Sequence, residues 1–333
     1  MSNALMLLAG LVLLAMGGEL LVRGAVATAG RLGMSPLLIG LTLVGLGTSM
    51  PELVTSVQAS LAHSPGIAIG NIVGSNIANI LLILGLSAII TPVAVNSRAL
   101  KRDGSVVLAS ALVLAGIGTV SQLDRLAGIG FLLVLAAYLV FAFKQETALP
   151  AGGHTAAYEK SQAFAERPDS PIPLEPATGA QAGGPGSLLP IAMALAGLVI
   201  IVLGGKVLVD SATAIARDAG ISETVIGLTI VAMGTSMPEF MTSLIAALRK
   251  HGDVALGNIM GSNIYNILGI GGVTGILAPT AIPREIVHFD SLVMVAASVA
   301  LVVFAQTGLR IGRVEGAVLL SGYVAYLWAL WPA

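Results

Sequence analysis

Two glutamates, Glu52 and Glu239, each lie near the middle of a long apolar run and follow the same five residues, Gly-Thr-Ser-Met-Pro. An ionised carboxylate at such a depth in a bilayer costs roughly 2.5–3.5 kcal/mol even on the lenient insertion scale. It therefore needs a partner, a proton or a cation. No Lys or Arg occupies a similar depth in these or the adjoining apolar runs. Two such carboxylates brought together carry a charge of −2, which suits one divalent cation or several monovalent ones. The competing reading, a protonated Glu hydrogen-bonded between helices, fits one isolated residue better than a duplicated pair.

The residues around the glutamates add oxygen ligands. Pro51 and Pro238 lack an amide hydrogen and clash with the carbonyl one turn back, which frees backbone acceptors at Gly47-Thr48 and Gly234-Thr235. Within lipid, freed carbonyls are tolerated only where they are buried in protein or line a cavity. Carbonyl and carboxylate oxygens together suit a hard cation, and calcium takes about 6–8 of them. A plain proline kink with packing glycines would explain the prolines alone, but not the carboxylate that follows in both copies. A second motif, Gly70-Asn-Ile-Val-Gly-Ser-Asn-Ile-Ala-Asn79, recurs as Gly257-Asn-Ile-Met-Gly-Ser-Asn-Ile-Tyr-Asn266. Ser75 and Asn79 are four apart, hence on one helical face, as are Ser262 and Asn266; these four are expected to line the site. Asn71, Asn76, Asn258 and Asn263 are expected to cap a broken helix or to hydrogen-bond to a neighbouring one. Gly70 and Gly74 allow a close helix approach.

These residues belong to two copies of one unit. Residues 40–85 match 227–272 without gaps at 27 of 46 positions, an offset of 187. Shared apolar composition explains matching Leu and Ile but not matching Glu, Asn, Ser, Thr and Pro. The offset extends to Gly17-Gly18 against Gly204-Gly205 and to Pro92 against Pro279. Glu19 with Arg23 and Lys206 with Asp210 are spaced as local ion pairs.

The elements that must position this chemistry are transmembrane helices. The chain is 56% hydrophobic and only 10% charged, with a mean hydropathy of +0.95, far from the composition of soluble domains. Apolar runs long enough to cross a bilayer fall near 3–22, 36–60, 67–90, 104–122 and 126–143, then 188–209, 223–248, 254–278, 287–306 and 312–331. The expected fold is all-α, with ten transmembrane helices in two five-helix repeats, residues 1–143 and 188–333, and breaks in spans 2, 3, 7 and 8. Five is odd, so the second repeat enters the membrane inverted, as in secondary transporters whose substrate sits at the midplane. With the N-terminus outside, twelve Lys and Arg fall in cytoplasmic connections and four outside, a positive-inside bias. Both termini are then external and residues 144–187 form a flexible cytoplasmic linker, rich in Ala, Gly, Pro and Glu. No Lys or Arg precedes the first apolar run, so that run is expected to stay in the membrane rather than to be a cleaved signal peptide.

Other chemistries find little support. The chain has no cysteine, and no HExxH, GxSxG or Walker motif. His63, His154, His251 and His288 fall in connections or at span ends with no ligand spacing. Tyr323, Tyr326, Trp328 and Trp331 read as an interfacial aromatic anchor. No cofactor, nucleic acid or obligatory protein partner is expected.

The two motif pairs, GTSMPE and GNIxGSN, each present twice, resemble the repeats of the sodium/calcium exchanger family, within the cation/calcium antiporters. The resemblance covers nearly all the chain except the linker. It implies a compact prokaryotic exchanger of the cell membrane, not an enzyme, that binds Ca2+ and Na+ transiently at a site built by spans 2, 3, 7 and 8. By position it implies that Glu52 and Glu239 are shared by both ions and that Thr48 and Thr235 offer carbonyls to calcium. Gly45 and Ala232 would offer carbonyls to outlying sodium sites, helped by Ser49, Ser236, Ser75 and Ser262. Family members carry Asn or Asp at the positions of Asn79 and Asn266. Two amides here leave two carboxylates, which disfavours obligatory potassium co-transport and leaves Na+ or H+ as the coupling ion. A passive cation channel is the more distant alternative.

Overall fold

The computed structural model describes residues 5–13, 16–17, 20, 24, 48–95, 100–120, 122–147, 188–218, 220–248 and 252–330. The 144–187 linker, Gly45, Glu19 and Arg23 lie largely or wholly outside them. Helices dominate. In the first half they are α1 (Met50–Leu61), α2 (Pro65–Ile77), α3 (Gly85–Ile90), α4 (Ser105–Val120) and α5 (Arg125–Thr147). The second half contributes α6 (Leu189–Asp218), α7 (Glu223–Ile226), α8 (Ala232–Thr235), α9 (Met237–Leu248), α10 (Gly252–Ile264), α11 (Gly271–Leu277), α12 (Ser291–Gln306) and α13 (Arg313–Leu330). Three described helices are long and apolar enough to cross a bilayer by themselves: Pro65–Ile90, Arg125–Ala142 and Ile286–Gln306. The first is 83% buried over its most apolar stretch and the second 28%. Pro65–Ile90 is thus a central helix, whereas α5 turns Leu126 and Leu133 outward.

Features recur at the 187-residue offset. One residue, Ser49 or Ser236, interrupts the helix just before Met-Pro-Glu, with φ/ψ of −84°/6° and −81°/11°. Spans 3 and 8 are not broken as expected. Each is continuous, carrying a π-helical stretch over Ala78–Leu84 and Tyr265–Ile270 that contains Asn79 and Asn266. The wider i→i+5 turn swings side chains off the α-helical register while keeping the backbone bonded, which a helix in lipid requires. Further π turns lead into α4 and α12 at Leu100–Gly104 and Ile286–Asp290.

The two halves exchange contacts. The short strands β1 (Val93–Ala94) and β2 (Arg310–Ile311) pair antiparallel, Val93 against Ile311. Leu123 and Thr280, the corresponding positions of the other halves, form a second antiparallel bridge. α3 crosses α13 where a Cβ on Gly316 would lie 2.7 Å from the Gly85 carbonyl oxygen; α11 crosses α5 where one on Gly128 would lie 2.6 Å from that of Gly272. Only glycine permits such backbone contact. Two expectations fail nearby. Lys206 and Asp210 are exposed on α6 and form no ion pair. Tyr323 and Tyr326 are 3% and 4% exposed: they face the core, and Trp328, 82% exposed, is left as the described interfacial anchor.

Candidate functional site

After the break at Ser49 the chain restarts as α1 with Pro51 in its first turn, where the missing N–H is harmless, and Glu52 beside it. The ladder resumes with the Leu53 N–H donating to the Ser49 carbonyl at 3.1 Å, and in the second half with Phe240 donating to Ser236 at 2.9 Å. Each carboxylate thus sits at the amino end of a half-helix, where the helix dipole favours negative charge. Glu52 is 1% and Glu239 0% exposed.

The two halves grip each other's glutamates. Ser236 Oγ donates to Glu52 Oε1 at 2.8 Å and Ser49 Oγ to Glu239 Oε1 at 3.2 Å. Ser262 Oγ reaches Glu239 Oε1 at 3.5 Å. Spacing along one helix could not reveal this exchange, because each serine serves the opposite copy. Asparagines of the second motif fix the half-helix starts. Asn71 Nδ2 donates to the Glu52 carbonyl at 3.1 Å and to Ser56 Oγ at 2.9 Å. Asn258 repeats this with the Glu239 carbonyl at 3.3 Å and Ser243 Oγ at 3.0 Å. These two therefore bond to the neighbouring helix, whereas Asn76 and Asn263 donate to the Ile72 and Ile259 carbonyls of their own helix, both at 2.7 Å.

What remains unbonded is as informative. Glu52 Oε2, Glu239 Oε2 and both amide atoms of Asn79 and Asn266 are buried without a protein partner. The π stretch holding Asn79 packs on α9, which bears Glu239; the one holding Asn266 packs on α1, which bears Glu52. Buried polar atoms are almost always bonded, so a group of orphaned oxygens around two carboxylates has the chemistry of a cation cage. Among the described residues no three His, Cys, Asp or Glu side chains gather as a metal site. The oxygens here come instead from two carboxylates, amides, hydroxyls and backbone.

The other expected residues fall as follows. Thr48 and Thr235 are 1% and 0% exposed and immediately precede the breaks. Thr235 Oγ1 donates to Asn71 Oδ1 at 2.9 Å. Ser75 Oγ donates to the Ala232 carbonyl at 3.4 Å, and the Ser236 N–H donates to the same oxygen at 3.0 Å. Gly74 sets the helix approach here: a Cβ on it would lie 2.5 Å from the Leu228 carbonyl oxygen. Sequence reasoning missed two buried acids at span ends, Asp103 and Asp290, 4% and 2% exposed. Their signal was present, since they too stand 187 apart.

The chain is similar throughout to known membrane exchangers. Residues 2–144 and 189–331 match the model of the sodium/calcium exchanger protein family. The sodium/calcium exchanger MaX1 of Methanosarcina acetivorans is 38% identical over 98% of this chain and 97% of its own length. The putative antiporter CaxA of Alkalimonas amylolytica is 36% identical over 98% of each. A solved structure of the sodium-calcium exchanger NCX_Mj, soaked with 100 mM Na+ and 10 mM Sr2+, superimposes with a TM-score of 0.71 at 33% identity, covering 99% of both chains. Together with its apolar helices this makes the chain a multi-pass membrane protein, and it belongs to the sodium/calcium exchanger family.

Proposed function

We propose that this protein exchanges Ca2+ for Na+ by alternating access at one site shared by its two halves. One observation carries the reading: Glu52 and Glu239 each have one oxygen held by a serine of the other half and one buried oxygen with no protein donor. The free oxygens, with Asn79 and Asn266, are the ligands we assign to the cation. The carbonyls of Thr48 and Thr235 complete the calcium shell. Ser49, Ser236, Ser75, Ser262 and the carbonyls of Gly45 and Ala232 serve outlying sodium ions. In the state described here the Ala232 carbonyl accepts from the Ser75 hydroxyl and the Ser236 N–H, so its use by sodium requires the Ser75 hydroxyl to turn.

The charge sets the coupling. An empty cage of two carboxylates is costly to move through low dielectric, whereas a cage neutralised by one Ca2+ or by Na+ ions is not. The protein therefore changes its facing only when loaded, and the two cations compete for one cage. The framework is two inverted five-helix repeats, residues 1–143 and 188–333, with ten spans, external termini and a cytoplasmic 144–187 linker. The recurrence of breaks, π turns and strand pairings at one offset supports it. The 38% identity to a sodium/calcium exchanger supports sodium over protons as the counter-ion.

Radioactive calcium uptake into proteoliposomes at fixed pH tests the ion pair. Uptake should require an outward sodium gradient and saturate with calcium. Uptake driven equally by a proton gradient in sodium-free buffer would assign proton/calcium exchange, and non-saturating flux indifferent to both gradients would indicate a channel.

A further inference from the structure

The two halves carry a second pair of corresponding acids, and they are neutralised differently. Asp103 and Asp290 each lie in a π turn at the start of a span and each accepts a hydrogen bond at 2.9 Å from a tyrosine late in another span, Tyr138 and Tyr326. Asp103 also has an internal cation. Arg102 Nε lies 2.5 Å from its Oδ1 and Nη2 lies 3.0 Å from its Oδ2, while Nη1 reaches Gln145 at 3.0 Å. At the position corresponding to Arg102 the second half has Phe289, which stacks on Tyr326 at 6.1 Å. Among the described residues no cation lies within ion-pair distance of Asp290. The first half shows what this buried acid uses as a partner, and the second half does not supply one.

Beside Asp290 is a cavity of about 370 Å³ lined by Arg284, Glu285, His288 and Asp290, with apolar walls that include Leu228 and Phe289. It lies where three spans end on one face: the start of the helix holding Leu228, the start of Ile286–Gln306 and the end of α13. Exposed Trp328 marks that end of α13 as the level of the headgroups. A hard metal ion would need 6–8 oxygens, more than these mostly apolar walls offer. A molecule with a cationic end, an anionic end and acyl chains matches all three kinds of wall.

We propose that this cavity binds a phospholipid whose headgroup carries a primary ammonium, with the ammonium on Asp290, the phosphate on Arg284 and an acyl chain along Phe289, which is 43% exposed. The ammonium stands where the Arg102 guanidinium stands in the first half. A primary ammonium donates hydrogen bonds and a quaternary choline does not, so the site discriminates between these headgroups. This inference is independent of the proposed ion exchange, and its test needs no transport.

Native mass spectrometry of the full chain extracted from vesicles of equimolar phosphatidylethanolamine and phosphatidylcholine reads the preference directly. The wild type should retain phosphatidylethanolamine in about tenfold excess, as one charge-assisted hydrogen bond implies. Asp290→Asn should abolish the excess, and Arg284→Gln should weaken retention of both lipids alike. Phe289→Arg, which supplies the internal cation of the first half, should abolish the excess in a protein that still folds; it decides the matter if Asp290→Asn fails to fold. Equal retention of the two lipids by the wild type, or an excess that survives Phe289→Arg, overturns the proposal.

Discussion

The two halves are nearly superimposable in chemistry where they meet and dissimilar where they reach the membrane boundary. At the centre each half contributes a serine to the other's glutamate and an asparagine to its own half-helix start. At the boundary the same offset pairs a neutralised Asp103 with an Asp290 that lacks an internal cation. On the proposed exchange the site is reached from both sides of a membrane, which constrains both halves equally. The boundary positions are free of that demand, and the two halves have diverged there.

The comparison breaks most decisively at the carboxylates. If they are equal halves of one cage, Glu52→Gln and Glu239→Gln should each abolish gradient-driven calcium uptake, and activity retained in either would make the halves unequal. Next come the serines. Ser236→Ala and Ser49→Ala each remove a hydrogen bond to a charged group, about 1.5–3 kcal/mol, which corresponds to roughly ten- to hundredfold in calcium affinity. Ser236→Ala should be the more severe, since its bond is 2.8 Å against 3.2 Å; calcium titrations of the purified variants compare them.

Packing sharpens the contrast further. Gly74→Ala places a methyl group against the Leu228 backbone and should cost about 1–3 kcal/mol by overpacking. Gly257, the first glycine of the same motif in the second half, faces open space, so Gly257→Ala should be neutral or slightly stabilising. Thermal unfolding in detergent distinguishes the two. The smallest expected difference lies in the asparagines. Asn71 bonds to the Glu52 carbonyl, Ser56 and Thr235, whereas Asn258 bonds to two groups and its Oδ1 is buried without a partner. Asn71→Ala should therefore destabilise by about 1 kcal/mol more than Asn258→Ala, measured in the same melts.

Much of the site was legible because lipid makes polar residues conspicuous. Glu52, Glu239 and the prolines before them had no bland reason to recur in apolar runs, and the structure brings both glutamates into one buried cluster. Partners were less legible. Ser49 and Ser236 were expected near the ions, but that each serves the other half depends on how two distant helices cross. Asn79 and Asn266 sit in π turns that residue propensities do not separate from α-helix, so a break was expected where the helix continues. Tyr323 and Tyr326 looked like a boundary anchor because sequence places them near a span end. Their burial depends on helices elsewhere in the chain, and for Tyr326 on Asp290, 36 residues away. Asp103 and Asp290 were passed over because depth was judged from the centre of each apolar run.

The central claim is that one cage, half from each repeat, holds Ca2+ and Na+ in competition. Equilibrium binding of radioactive calcium to the purified protein, titrated with NaCl at constant ionic strength and pH, tests it most directly. The account predicts one high-affinity calcium per chain, displaced cooperatively by sodium and lost in both Glu52→Gln and Glu239→Gln. Two independent calcium sites per chain, or high-affinity binding that survives loss of either glutamate, would contradict it.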